Sequence, residues 1–275
     1  RFHRKGADHM TQEKRILVCE DSLEGIFSGV YQAYLQKYPL ERVHLIAGEE
    51  ENYRLFAVYK RCESSREHAE KVGRTLKKEL GEEGYYRICR TLASYEADKA
   101  EAVFRTIVMA LHRKTGGKIL EDLKDPYIRR VFELDRTVGN ETHSHIEFIR
   151  FRELADGVLY AQISPKNHIL TFLMPHFTDR FPLENFVIHD IGRNLFAVHP
   201  AEREYVMVSG QEEWKLPDTF SEGEEKYSEL FTEFFHTIAI KERTNSELQR
   251  GMLPVRYRKY MTEFNRGNTG NTVNK

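Results

Sequence analysis

The feature that most limits what this chain can fold into is a change in the spacing of its apolar residues. Up to about residue 138 they recur at every third or fourth position, and from about residue 146 they fall in short alternating runs between turn residues. A period near 3.6 marks a helix with one face in a core, and a period of two marks a strand. The chain therefore reads as α+β: a mainly helical N-terminal half with a few short strands, then a C-terminal half with an antiparallel sheet of about five strands and packed helices.

In the first half, Ile16, Leu17, Val18 and Cys19 predict an opening strand. Leu23, Ile26, Phe27, Val30, Tyr31, Tyr34, Leu35 and Tyr38 form the stripe of a helix, capped by Asp21 with Glu24 answering and stopped by Pro39. Short strands are expected over 43–46 and 53–59 around an acidic turn, and helices over 65–80, 83–94, 96–113 and 126–138. In the second half, residues 146–152 and 158–163 predict a hairpin about Asp156 and Gly157, which tolerate a positive φ. A helix over 168–181 and strands over 186–190, 194–199 and 204–208 follow. An acidic stretch then carries the stripe Tyr227, Leu230, Phe231, Phe234, Phe235 and Ile238, another helix. The expected division is a disordered leader over 1–13, with Met10 an alternative start or the edge of an added leader, a mostly helical α/β region over 14–145, sheet plus helices over 146–264, and a disordered tail over 265–275.

With 275 residues, 40% of them hydrophobic, the chain can bury a sizeable core. Its net charge of −1 gives no global positive field, so any nucleic-acid surface must come from local clustering. Such a cluster exists: over 241–266, seven cations (Lys241, Arg243, Arg250, Arg256, Arg258, Lys259, Arg266) face only Glu242, Glu247 and Glu263. Cys19, Cys62 and Cys89 are scattered and form no C-x-x-C pair, which argues against a disulfide framework, a zinc knuckle or an intrinsic iron–sulfur cluster. No cofactor is identified. The thiols suit a reducing cytoplasm, and the lack of a long apolar run argues against membrane insertion. No phosphate-binding loop, dinucleotide fingerprint or nucleophile elbow occurs.

The residues that could carry chemistry concentrate between Glu141 and Arg193. His143 and His145, two apart, could share a metal from a strand, with His176 or His189 and Asp190 completing the set; the structural alternative is one exposed and one hydrogen-bonded histidine. His145, His176 and Asp190 are the candidates for acid/base work. His176 falls on a stripe with Ile169, Phe172, Leu173 and Phe177, which equally suits a core or interface histidine, and Arg180 lies one turn on. Asp190 could be a base, a ligand or the ion-pair partner of an arginine. Arg150 and Arg152 project from one side of the expected strand, where Tyr160 and Gln162 could share a face able to hold a nucleic-acid backbone or to cover a helix. Near the C-terminus, Tyr257, Tyr260 and Phe264 interleave with Arg256, Arg258 and Lys259. That mixture suits phosphate contact and base stacking, or a helix with inward aromatics. Arg150, Arg180, Arg193, Arg243, Asn245, Arg250, Arg256, Arg258 and Lys259 are the nucleic-acid candidates.

These residues carry a resemblance over nearly the whole chain. From Leu17 to Tyr31, from His145 through Arg150-Phe151, His176-Phe177, Arg180-Phe181 and Asp190, then Ile238 to Asn245, Gln249, Pro254 and Arg256 to Phe264, the chain resembles a bacterial family described as DNA-metabolism or DNA-repair proteins. The family's conserved region is classed as a domain of unknown function. The resemblance implies a gene neighbour encoding a radical SAM protein for DNA modification or repair, and kinship with chains fused to a uracil-DNA-glycosylase-like domain. One departure is Phe186, where relatives often have Trp. Lacking a C-x-x-x-C-x-x-C cluster, this chain would be the partner of the radical SAM enzyme. The expected role is thus a DNA-binding accessory or radical SAM partner; the alternatives are an enzyme acting on damaged or modified DNA, and a structural adaptor without nucleic-acid contact.

Overall fold

In a computed structural model, residues 14–36, 39–49, 53–210, 219–238 and 253–264 are described. The expected leader and tail, and Arg243, Asn245 and Arg250, lie outside them. The chain divides into two compact units, 1–139 and 140–275.

The first unit is a three-stranded sheet with helices. Strands β1 (Lys14–Cys19), β2 (Val43–Ala47) and β3 (Ala57–Arg61) stand in the order β2-β1-β3, and both pairings are parallel. β2 and β3 therefore do not pair around the acidic turn; each takes one edge of β1, whose Ile16, Leu17 and Cys19 are buried. Helix α1 (Leu23–Leu35) starts at Ser22 rather than Asp21: Ser22 Oγ accepts from Gly25 N at 2.9 Å, while Asp21 pairs with Lys99 at 2.6 Å. The two helices expected over 65–94 are one run, α2 (Arg66–Leu92), interrupted at Gly81, whose φ of 78° and ψ of 173° break the helical path. α3 (Lys99–Arg113) follows, burying Val103, Phe104 and Ile107.

Helix α4 (Pro126–Phe148) contains the point where the units divide. It was expected to stop at 138 and give way to a strand over 146–152, and that expectation is corrected. The helical stripe Leu134, Val138 continues through Glu141 and His145, all four buried. Polar side chains at core-facing positions hid the period from an apolar count.

The second unit holds a five-stranded sheet in the order β4-β5-β6-β7-β8: β4 (Arg152–Glu153), β5 (Leu159–Ile163), β6 (Phe186–Asp190), β7 (Leu195–His199) and β8 (Val206–Ser209). The short β4–β5 hairpin turns at Gly157, φ 82°. The sheet is mixed rather than antiparallel, because β5 and β6 run parallel. Helix α5 (Leu170–Arg180) lies between them in the chain, and a parallel neighbour requires such a crossover. It buries Leu170, Leu173, Met174 and Phe177, beside the buried Phe186 and Ile188 of β6. Phe151 meets Phe177, Phe181 and Phe186 edge-on at ring-centre distances of 5.2, 5.6 and 5.6 Å. Full burial of Phe177 and Phe186 contributes roughly 1.5–3 kcal/mol each, and the half-buried Phe151 and Phe181 less. Helix α6 (Glu222–Ile238) and the short turns Val255–Arg258 and Thr262–Phe264 complete the described chain. Among the described residues no helix is long and apolar enough to cross a membrane.

Candidate polar site in the second unit

Because α4 runs on to Phe148, it presents Glu141 and His145 on one buried face, one turn apart. The Glu141 carboxylate accepts from Lys166 N at 3.1 Å, Asn167 N at 2.9 Å and Asn167 Nδ2 at 2.7 Å, so it holds the loop between β5 and α5. Arg256 brings a guanidinium nitrogen to within 3.7 Å of the same carboxylate. The loop is also held from β6. Asp190, with no exposed surface, pairs with Arg193 Nη1 at 2.9 Å, and Arg193 donates to the carbonyls of Pro165 (3.2 Å) and Lys166. Two buried carboxylates thus grip three successive residues, 165–167, through donors of fixed geometry.

His145 Nδ1 lies 2.8 Å from the Glu141 carbonyl oxygen, which makes Nδ1 the protonated nitrogen and Nε2 the lone pair. The ring meets Tyr257 edge-on at 4.9 Å. Burial pushes its pKa below the ordinary 6.5, with the Arg256 cation acting in the same direction against Glu141 and Asp190. The imidazole is therefore neutral at pH 7 and can accept a proton or a hydrogen bond through Nε2.

His189 is a second neutral histidine: burial lowers its pKa, Nδ1 lies 2.9 Å from Tyr160 Oη, and the ring stacks on Phe196 at 4.0 Å. Both histidines bind protons more weakly folded than unfolded. Their contribution is fully present above the unfolded value of about 6.5 and is lost as pH falls below it toward the lower folded values. Thermal unfolding should show a midpoint that falls between pH 7.5 and 5, with a shallower fall for His189→Phe; an unchanged slope would refute the assignment.

The structure separates several residues that the sequence grouped. His143 and His145, two apart on a helix, leave it in opposite directions; His143 is exposed and pairs with Glu147 at 3.2 Å, so the two cannot share a metal ion. Among the described residues no group of three or more His, Cys, Asp and Glu side chains is placed to hold one. His176 is exposed rather than in the core, with its ring edge-on to Phe177 at 5.0 Å. Arg180 is exposed over the Phe181 ring. Arg150 does not share a strand face with Arg152. It follows α4 and donates to Glu263 at 3.0 Å, while Arg152 pairs in β4 with Tyr160. Asp190 and Arg193 form the ion pair that was one of their expected roles.

Glu141, Asn167 and Glu263 were not among the sequence candidates. Glu141 was legible as an acid on the continuing helical stripe of Leu134 and Val138; Asn167 and Glu263 carried no signal in spacing.

The C-terminal turn closes the site. Tyr257 is buried against His145 and Phe148, and Glu263 ties the next turn to Arg150. Three cations in this segment lie over aromatic rings: Arg256 over Tyr257 at 4.8 Å, Arg258 over Phe264 at 5.0 Å and Lys259 over Tyr260 at 5.1 Å.

No curated protein matches the chain. Residues 97–263, which include every polar residue of this site, match the family model described as a domain of unknown function, DUF4130. Since the match spans more than half of the chain, the protein belongs to the DUF4130 family.

Proposed function

We propose that this protein acts in DNA metabolism or repair as a DNA-binding accessory of a radical SAM enzyme that modifies DNA, and that residues 256–259 make its phosphate contact. The observation that carries the reading is the run Arg256, Arg258, Lys259, in which each cation overlies an aromatic ring. Cations neutralise phosphates and release counterions, and the rings beneath them hold the cations in place. The segment is braced by Glu141, His145 and Arg150, so little ordering is needed on binding. Arg150 and Arg193 are engaged in holding the scaffold, which leaves Arg180 as a peripheral cation.

Fluorescence anisotropy with single-stranded and duplex DNA across a salt series tests the contact. Affinity should fall steeply with salt, and the triple change Arg256→Gln, Arg258→Gln, Lys259→Gln should weaken binding at least tenfold and flatten the log–log slope by about 2 to 3, near 0.7–0.9 per lost contact. No binding at about 50 mM salt, or a slope untouched by the triple change, rejects it. Co-purification with a radical SAM protein of the kind that the family resemblance implies tests the partnership.

One observation favours a second reading, an enzyme acting on damaged or modified DNA. His145 has its Nδ1 proton committed to a carbonyl, and burial, with the Arg256 charge acting the same way, keeps the ring neutral, the state a general base needs. Incubation with uracil-containing and abasic DNA should then yield a product that His145→Gln, still folded, reduces at least 100-fold, as loss of a general base does.

A further inference from the structure

The first unit carries an exposed apolar cluster that the polar site does not use. Tyr53, Leu55 and Phe56 are 74%, 84% and 87% exposed, and among the described residues no other large apolar side chain is as exposed. All three belong to the turn that leads into β3. Single surface hydrophobes are ordinary, but the three most exposed ones within four residues form a patch that marks an interaction surface.

Phe56 is unfavourable twice over. Its φ of 58° lies in the left-handed region, which a bulky residue enters at a cost and glycine enters freely. Its ring returns nothing to the core, since almost all of the residue faces water. The tip is nevertheless held on both sides: Lys14 N donates to Phe56 O at 3.4 Å, Arg54 N donates to Tyr59 Oη at 2.8 Å, and the Tyr53 ring meets Tyr59 edge-on at 4.7 Å. A tip that is strained, apolar and braced costs the fold free energy, and such strain persists where a partner makes use of it.

The charge around the tip sets the sign of that partner. From Tyr53 to Arg61 there are three cations, Arg54, Lys60 and Arg61, and no acid. Arg61 is paired with Glu49, but Arg54 and Lys60 are exposed, as is Lys14, which stands opposite Ala57 in the β1–β3 register. An apolar tip flanked by cations suits a partner with an apolar interior behind a row of negative charges. A nucleic-acid duplex is built that way, with phosphates outside and a base stack within. Phe and Leu are among the side chains that enter such stacks between base steps, unstacking them and kinking the duplex.

We propose that this tip is a wedge that enters a base step of duplex DNA, with Leu55 and Phe56 between the bases and Lys14, Arg54 and Lys60 toward the flanking phosphates. The choice of DNA over an anionic lipid surface rests on the DNA reading above.

The test uses the full chain and a set of short duplexes that carry 2-aminopurine at successive steps, since this base brightens when it is unstacked. Protein should raise the fluorescence of at least one duplex about twofold or more, most of all at a pyrimidine–purine step, where unstacking is easiest. Phe56→Gly should abolish the rise and weaken binding, read by anisotropy, about fivefold or more, while its thermal midpoint stays level or increases because glycine relieves the left-handed strain. Leu55→Ser should lower both signals in the same direction. The change at residues 256–259 should keep the rise at saturating protein. Binding without brightening at any step, or a Phe56→Gly variant that brightens like the parent, overturns the wedge and leaves the phosphate contact standing. Absence of binding at about 50 mM salt removes both. A Phe56→Gly midpoint lower by more than about 3 °C would assign the residue to the fold and overturn the proposal. Sedimentation with phosphatidylserine vesicles that Phe56→Gly abolishes would assign the tip to a lipid surface and overturn it as well.

Discussion

Glu141→Ala should lower the unfolding free energy by about 3–5 kcal/mol, read as the shift of a urea denaturation midpoint at constant slope. The carboxylate is 5% exposed and accepts three hydrogen bonds from two consecutive residues. Its removal takes this acceptor from Lys166 N, Asn167 N and the Asn167 amide, opens a space alanine cannot fill, and leaves Arg256 without its nearby acid. Each hydrogen bond lost in a buried setting costs roughly 1–3 kcal/mol, and the cavity adds to the sum. Glu141→Gln keeps the volume and one acceptor oxygen, so it should cost less. A loss under about 1 kcal/mol for alanine would mean that the loop over 165–167 holds its shape without this acid.

Arg193→Ala should cost a similar amount, about 3–5 kcal/mol, and more than Asp190→Ala. The asymmetry follows from burial. Asp190 has no exposed surface, and without the guanidinium its carboxylate keeps, among the described residues, only the Arg193 backbone N–H at 3.3 Å. Removing the acid instead leaves a guanidinium that is 31% exposed and still donates to two carbonyls, so much of its charge stays solvated. Arg193→Lys should rescue little, because one ammonium cannot span the acid and both carbonyls as a planar fork does. A double-mutant cycle should return a coupling above 1 kcal/mol. Equal losses for the two alanine variants would show that the pair is not the anchor its burial implies.

Element types were readable wherever one physical signal ruled. The stripe of Ile26, Phe27 and Val30 and the Asp156-Gly157 turn could be read because apolar period and turn chemistry agreed with the fold. The break at Gly81 was legible as a gap between two helices. The end of α4 was not: Glu141 and His145 occupy core positions with hydrogen bonds in place of apolar contact, so a hydrophobic count lost the helix there. The parallel β5–β6 pair was also hidden, since strand direction depends on where α5 returns the chain.

The site was legible as residues and not as partners. His145, Asp190, Arg193 and Arg256 were named from the sequence, yet nothing in their spacing says that Arg193 and Glu141 hold the same three-residue loop. Arg150 looked like a surface cation until Glu263, 113 positions on, was found against it. What the sequence by itself determined is the helical and extended segments, because these follow from local period and turn residues. Only the tertiary structure decided which charged groups are spent on scaffold and which face water, because that depends on burial and on partners brought together across long stretches of chain.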